Sequence, residues 1–339
     1  MQTIDLSGPG AQKLLAERIA NDLNDYTAKL YDDGHRNHLG ASMIGDECAR
    51  KLWYNFRWVL TQSFIDTKGV DQKGRMMRLF NRGHKEEFRF VEWLRGMGFI
   101  VEEFEPTSRL FYRVEDNKYC VAEAAPEGGN NELYVEVTGD VAHQERAAAF
   151  GVKRKQLRIS GVNGHYGGSL DAIITFPAIY GSFRMLGEFK TSGQKYFEKL
   201  KEETVIRAKP EHYAQMCSYG ERYKLDYALY LCVNKDTDEI YPEIVKLDPQ
   251  HALRMTERAH SIINSPVPLK RLSENSAYYK CKFCSFAPVC HGQAPYDKNC
   301  RSCTYAQPVE NGEWFCHRFA NIIPKDFIKK GCDAHTEAR

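Results

Sequence analysis

The chain has no apolar run approaching the ~20 residues needed to span a bilayer. Its first residues, MQTIDLSGPGAQKLL, do not follow the basic-then-apolar order of a secretory leader. Together these absences read as a cytosolic protein that does not enter a membrane. Charge of one sign is also missing: over 339 residues the formal net charge is +2. That excludes a uniformly basic coat and confines any nucleic-acid surface to a local patch. No GxxxxGK[ST] loop occurs, so no ATP-driven motor is encoded. There is no internal repeat and no low-complexity tract.

What is present is ordinary in bulk. Hydrophobic residues make up 42% and charged residues 27%, as in globular proteins of a size that buries a real core. Helical periodicity predicts helices over 11–31, 75–95, 195–206, 209–223 and 249–264. Strands are expected at 227–233 and 240–245, and irregular β structure without chemistry between 100 and 160, including a Gly-rich loop after Pro126. This order predicts an α/β fold with a mixed central sheet flanked by helices. We divide the chain into an N-terminal helical region (1–95), a core (96–290) and a Cys-rich appendage (291–339).

The stretch Gly167 to Lys190 organises this core. Asp171 heads the apolar run Ala172 to Phe176, a turn follows at Pro177 to Gly181, and Phe183 to Leu186 leads to Glu188 and Lys190. A hairpin folded near Ile179 and Tyr180 sets Asp171 roughly opposite Glu188. Cross-strand Cβ atoms lie about 4.5–5.5 Å apart, so the two carboxylates repel unless a cation separates them. A hard cation such as Mg²⁺ suits such a pair. Lys190 shares the face of Glu188 and is placed to hold a water or a phosphate oxygen. The plain alternative is a hairpin with surface charges. Gly164-His165-Tyr166-Gly167-Gly168 does not have phosphate-loop spacing and reads as a tight approach to the Asp171 strand.

The predicted helix 75–95 carries Arg75, Arg78, Arg82, Lys85 and Arg89 as one basic stripe, with Met76, Met77, Phe80, Phe88, Val91 and Leu94 opposite and His84 among them. The stripe is either a solvated face or a phosphate-contacting surface. On the helix 209–223, Gln215 and Tyr219 lie one turn apart on one face.

The eleven cysteines are unevenly spread. Cys120, Cys217 and Cys232 read as small buried hydrophobes. Cys48 stands alone near the front, with Ser42 or Asp46 as candidate caps of the helix beside it. Cys281, Cys284 and Cys290 form C-x2-C-x5-C, and Cys300, Cys303, Cys316 and Cys332 follow. In a reducing compartment such clusters suit metal better than disulfides. The second set has credible zinc spacing, with His317 or His335 as substitute ligands for Cys332.

The order Asp171, Glu188-x-Lys190, preceded by His84 and followed by Gln215-xxx-Tyr219, resembles the RecB-like branch of the PD-(D/E)xK nuclease superfamily; Ser169-Leu170 stand where the family has a proline. A lone upstream Cys48 with C-x2-C-x5-C after the nuclease motifs is similar to its iron–sulfur members, which include CRISPR-adaptation and AddB-type nucleases. The resemblance implies a restriction-endonuclease-like fold and an exonuclease or end-processing activity on DNA in recombination, replication or repair. It further implies Mg²⁺ or Mn²⁺ at His84, Asp171, Glu188 and the Phe189 carbonyl, and Lys190, Gln215 and Tyr219 in the catalytic site. A 4Fe–4S cluster would sit on Cys48, Cys281, Cys284 and Cys290, with zinc as the alternative, and a structural zinc on Cys300, Cys303, Cys316 and Cys332. A phage or mobile-element origin in a bacterial cytoplasm, with a recombination or replication partner protein, fits that setting. A nucleic-acid-binding or assembly module that cleaves weakly or not at all is the competing expectation.

Overall fold

The computed structural model describes residues 9–30, 35–60, 70–126, 134–137, 141–292 and 294–339. The loop expected just after Pro126 lies outside the described residues. The chain divides into two compact units, one comprising Leu39–Asp46 and Lys85–Ser261, the other Met1–His38, Glu47–His84 and Ile262–Arg339. The segments 1–95, 96–290 and 291–339 divide the chain by order, whereas compactness groups its two ends.

The first unit is built on a five-stranded mixed sheet whose order is Ile240–Lys246, Tyr227–Asn234, Arg184–Ser192, Ala172–Thr175, Ile100–Glu102. Arg184–Ser192 and Tyr227–Asn234 run parallel, and the other neighbours are antiparallel. The parallel pair needs a crossover, supplied by the helices Gln194–Ala208 and Pro210–Tyr223. Pro210 suits a first helical turn because its missing N–H has no intrahelical partner to lose. The hairpin register is Ala172↔Gly187, Ile173↔Leu186, Ile174↔Met185 and Thr175↔Arg184. One more step along this ladder sets Asp171 opposite Glu188.

Alternation along these strands splits the sheet's surroundings. Ala172, Ile174, Phe189, Leu229, Leu231 and Val233 join Phe90, Val91 and Leu94, from the second half of the helix Val70–Gly96, in one core. Phe90 and Phe189 stack there with ring centroids 5.3 Å apart. Glu188 points the other way, toward the buried stretch Ala214 to Gly220 of Pro210–Tyr223. Coverage on both faces explains why Tyr227–Asn234 is buried at every position after the first.

The 100–160 region contains the expected short strands, and also a helix, Val141–Ala149, that alternation alone did not reveal. Its sequence, VAHQERAAA, is rich in alanine, the strongest helix former. Ala147 buries against Leu110, Tyr119 and Val137.

In the second unit Ala49–Phe56 is a short amphipathic helix with Leu52, Trp53, Tyr54 and Phe56 buried. Its cap is Cys48, whose Sγ accepts the Lys51 N–H at 3.4 Å, so neither Ser42 nor Asp46 fills that role. Arg78 donates to Asn24 Oδ1 at 2.8 Å and Thr27 Oγ1 at 2.9 Å, holding the helix Pro9–Leu30. A three-stranded sheet, Ala306–Pro308, Trp314–Cys316 and Asn321–Ile322, forms the body of the Cys-rich region.

Gly168 marks a close approach of helix and strand in the first unit. A Cβ there would collide with the Tyr219 hydroxyl and lie 3.2 Å from Tyr219 Cζ and 3.3 Å from Ala41 Cβ. Gly168→Ala should therefore destabilise the fold by about 1–3 kcal/mol in chemical denaturation. Adding Tyr219→Phe should recover part of that loss; an additive double mutant would place the clash elsewhere.

Candidate active site and cysteine centres

Asp171 immediately precedes its strand, and its carboxylate is turned back onto the neighbouring strand: Oδ2 accepts the Phe189 N–H at 2.7 Å. Glu188 is completely buried. Lys190 reaches back between the two carboxylates, in ion-pair contact with Glu188 Oε1 and with Nζ 3.6 Å from Asp171 Oδ2. The same ammonium donates to the Phe189 carbonyl at 3.2 Å. Neither Glu188 oxygen receives an aligned hydrogen bond among the described residues, despite the Lys190 contact.

This geometry shifts every group in it. Burial pushes the Glu188 carboxyl up to about 8, against the opposing pull of the Lys190 charge. Burial works against the Lys190 ammonium as well, but the negative charges of Asp171 and Glu188 outweigh it and hold Lys190 well above its ordinary value. Tyr219 is raised by burial and then by the charges of Glu188 and Asp171. Gln215, buried beside it, donates from Nε2 to the Tyr219 hydroxyl at 3.4 Å. Asp171, Glu188, Lys190, Gln215 and Tyr219 are thus gathered on one face of the sheet.

Three further residues join them without having been singled out in the sequence. Tyr230 is the register partner of Glu188. His212 Nδ1 lies 3.0 Å from the Tyr230 hydroxyl, and burial, then the charges of Lys190 and Lys209, depress His212 to about 3. Glu87 adds to the negative field at Glu188 and Lys190. Its only sequence signal is the Glu86-Glu87 pair within a helix in which basic residues outnumber acidic ones. His84 is exposed on the helix Val70–Gly96, as are Arg75, Arg78, Arg82, Lys85 and Arg89. Phe80, expected on the apolar side, is 48% exposed. Arg89 pairs with Glu86 and lies 4.7 Å from the Trp93 ring centroid.

In the second unit the eight cysteines of the two sets are all free thiols. Burial raises Cys281 and Cys284, and the charges of both Cys48 and Cys290 add to the rise at each, so these four form one electrostatic group. Lys280 and Glu47 tie their two segments by an ion pair of 2.6 Å. Burial also pushes Cys300 up to about 11, with further increments from Cys332, Cys303 and Cys316. His335 Nε2 lies 2.9 Å from Ser302 Oγ, and His317 Nε2 2.6 Å from Gln307 Oε1. Among the described residues no three His, Cys, Asp or Glu side chains are drawn together as closely as metal ligands.

Beside the Cys300 group lie two guanidiniums that sequence reading passed over. Arg57 and Arg301 are 2% and 1% exposed. Arg301 is packed 4.3 Å from the Trp58 ring centroid, 4.6 Å from Phe56 and 4.9 Å from Trp314. Arg57 donates to the carbonyls of Arg301, Ala306 and Ser265. Neither has a carboxylate partner among the described residues, where Arg57 Nε, Arg301 Nε and Arg301 Nη2 also have no acceptor. Burial lowers Arg57 to about 10, with Cys303 as the opposing charge.

No family model and no curated protein matches the chain. Among solved structures, SSO0001 is 14% identical with a TM-score of 0.37, over 84% of this chain and 98% of its own. An alkaline exonuclease, LHK-Exo from Laribacter hongkongensis, is 13% identical with a TM-score of 0.33, over 67% of this chain and 87% of its own. Its complex with dAMP is 12% identical with a TM-score of 0.31, over 67% and 86%. Likenesses this slight carry no argument, and the functional reading rests on the site itself.

Proposed function

We propose that the chain is a metal-dependent deoxyribonuclease of the RecB-like PD-(D/E)xK class, working as an exonuclease or end-processing nuclease in recombination, replication or repair. The observation that carries this reading is Lys190 between Asp171 and a wholly buried Glu188. A carboxylate without aligned hydrogen bonds in a protein interior is costly, and here an ammonium stands where a cation is favoured. The donor set of two carboxylates and the Phe189 carbonyl is all oxygen, which suits Mg²⁺ or Mn²⁺. When bound, such an ion lowers the pKa of water and offsets phosphate charge. Lys190, released from Glu188, orients the attacking water and stabilises the charge developing on the scissile phosphate. The Phe189 N–H holds Asp171 in register, and Gln215 with Tyr219 orders the site from the helix above it. Arg75, Arg78, Arg82, Lys85 and Arg89 are the candidate contacts to backbone phosphates, which position a strand without reading sequence.

We assign Cys48, Cys281, Cys284 and Cys290 to an iron–sulfur cluster, with zinc as the alternative, and Cys300, Cys303, Cys316 and Cys332 to a structural zinc. Arg57 and Arg301, buried without a carboxylate among the described residues, support the second assignment. A zinc tetrathiolate is a dianion, and two buried guanidiniums match that charge. Replacing one thiolate by a neutral imidazole would leave a positive charge over, and both His317 and His335 already have polar neighbours.

The competing reading, a binding module, is favoured only by the ion pair itself, which a structural salt bridge would also make. End-labelled linear and circular DNA, with Mg²⁺ or Mn²⁺, separates the two. Lys190→Ala should cut cleavage by roughly 10²–10³-fold while binding survives; equal cleavage in the variant would refute the catalytic assignment.

The Glu188 shift predicts a pH dependence with a definite sign. A carboxyl held neutral in the fold confers stability that is complete below its ordinary range and lost as pH rises through about 8. Metal-free protein should therefore lose thermal stability between those limits, and Glu188→Gln should remove that slope. A variant with the wild-type slope would assign it to other groups.

For the zinc assignment, Co²⁺-substituted protein should show the charge-transfer absorption of a tetrathiolate. Cys332→Ser should abolish it, and His317→Ala and His335→Ala should preserve it. Arg57→Met should weaken metal affinity by roughly 10–100-fold in chelator competition. Retained affinity would contradict the charge argument.

A further inference from the structure

One cavity in the second unit borders the first cysteine set without being enclosed by it. It measures about 240 Å³ and is lined by Arg50, Arg271, Val289, Cys290, His291, Tyr296 and Arg339, with no Asp or Glu among them. Cys290 is the sole member of its set that reaches the wall, so the cavity is not the space the four sulfurs enclose.

Neutral groups help fix all three guanidiniums, and two of them also pair with a carboxylate. Arg50 donates from Nε to the Tyr54 hydroxyl and from Nη1 to the Leu269 carbonyl, both at 2.8 Å. Arg271 grips the Cys290 carbonyl from Nε at 3.1 Å and Nη2 at 2.8 Å. Arg339 donates to the Ala294 carbonyl at 2.9 Å, its guanidinium 5.1 Å from the Tyr296 ring centroid. Arg271 and Arg339 each carry one carboxylate, Glu274 at 2.7 Å and Glu337 in close contact. Arg50 has no carboxylate within ion-pair distance among the described residues. His291 Nε2, buried, has no hydrogen-bond partner among them either.

From this we propose that the cavity is a phosphate-binding site, independent of the nuclease reading. Its wall gathers three guanidiniums whose fork geometry matches phosphate oxygens in pairs. They are already oriented, so little conformational freedom is lost on binding. The volume falls below the ~300 Å³ at which pockets for drug-sized ligands begin. It fits one phosphate group, either free inorganic phosphate or a single phosphate of a nucleic-acid strand.

The test is calorimetric titration of anaerobically purified full-length protein with inorganic phosphate and with a short single-stranded oligonucleotide lacking terminal phosphates. A Lys190→Ala background without added divalent metal prevents cleavage. Inorganic phosphate should bind, and Arg339→Ala and Arg50→Gln should each weaken it by roughly tenfold or more with iron content and circular dichroism unchanged. Competition between phosphate and the oligonucleotide, relieved by the same substitutions, would identify the strand backbone as the source. Binding of phosphate without competition would identify the free anion. Absence of phosphate binding by ~10 mM, or unchanged affinity in both folded variants, would overturn the proposal.

Discussion

A buried carboxylate is the constraint around which the first unit is arranged. Glu188 occupies the centre of the sheet with no exposed surface. An isolated ionised carboxylate in such a place would cost several kcal/mol. It is tolerated because the parallel neighbour Tyr227–Asn234, the hairpin partner carrying Asp171 and the helix above it bring polar groups to one face while the opposite face is apolar. Lys190 answers part of the charge, and its ammonium is held in turn by Asp171. Burial favours a proton on Glu188, so the site is balanced only while that proton stays; a divalent cation that displaces it meets two carboxylates in a shared, water-poor space. That exchange, rather than any single residue, links the fold to the proposed chemistry.

The second unit shows the reverse imbalance. Arg57 and Arg301 sit in aromatic surroundings, with no carboxylate among the described residues, next to a group of thiols. Guanidinium does not lose its proton under ordinary conditions, and under the proposed zinc assignment the sulfurs would supply the compensating charge. Thiolates persist when they bind metal. The two units therefore present complementary signs of one principle: each buries charge that its described neighbours answer only in part, and the proposed metal sites rest on that.

The hairpin was legible because its signals agree: an apolar run, a Pro–Gly turn and a second run whose midpoint fixes the register, and with it the pairing of Asp171 with Glu188. The long helices were legible from periodicity to within a few residues at each end, as with Gln194–Ala208 and Pro249–Asn264. Val141–Ala149 was not, because alanine contributes propensity without an apolar stripe. Lys190 was expected one pleat beyond Glu188, awaiting water; a flexible four-carbon side chain folds back to the nearest buried charge, and strand alternation does not encode that. Glu87, His212 and Tyr230 depend on contacts between distant segments. So do the burial of Arg57 and Arg301, since a sequence gives an arginine no sign that three aromatic rings will enclose it.

Titration of metal-free protein with Mn²⁺, followed by electron paramagnetic resonance, addresses the central claim most directly. The account predicts that wild-type protein binds Mn²⁺ and that Glu188→Gln and Asp171→Asn each lose the bound ion. Lys190→Ala, relieved of the competing ammonium, should bind it at least as tightly. Failure of the wild type to bind, or binding unaffected by Glu188→Gln, would contradict the assignment of this carboxylate pair as a cation site.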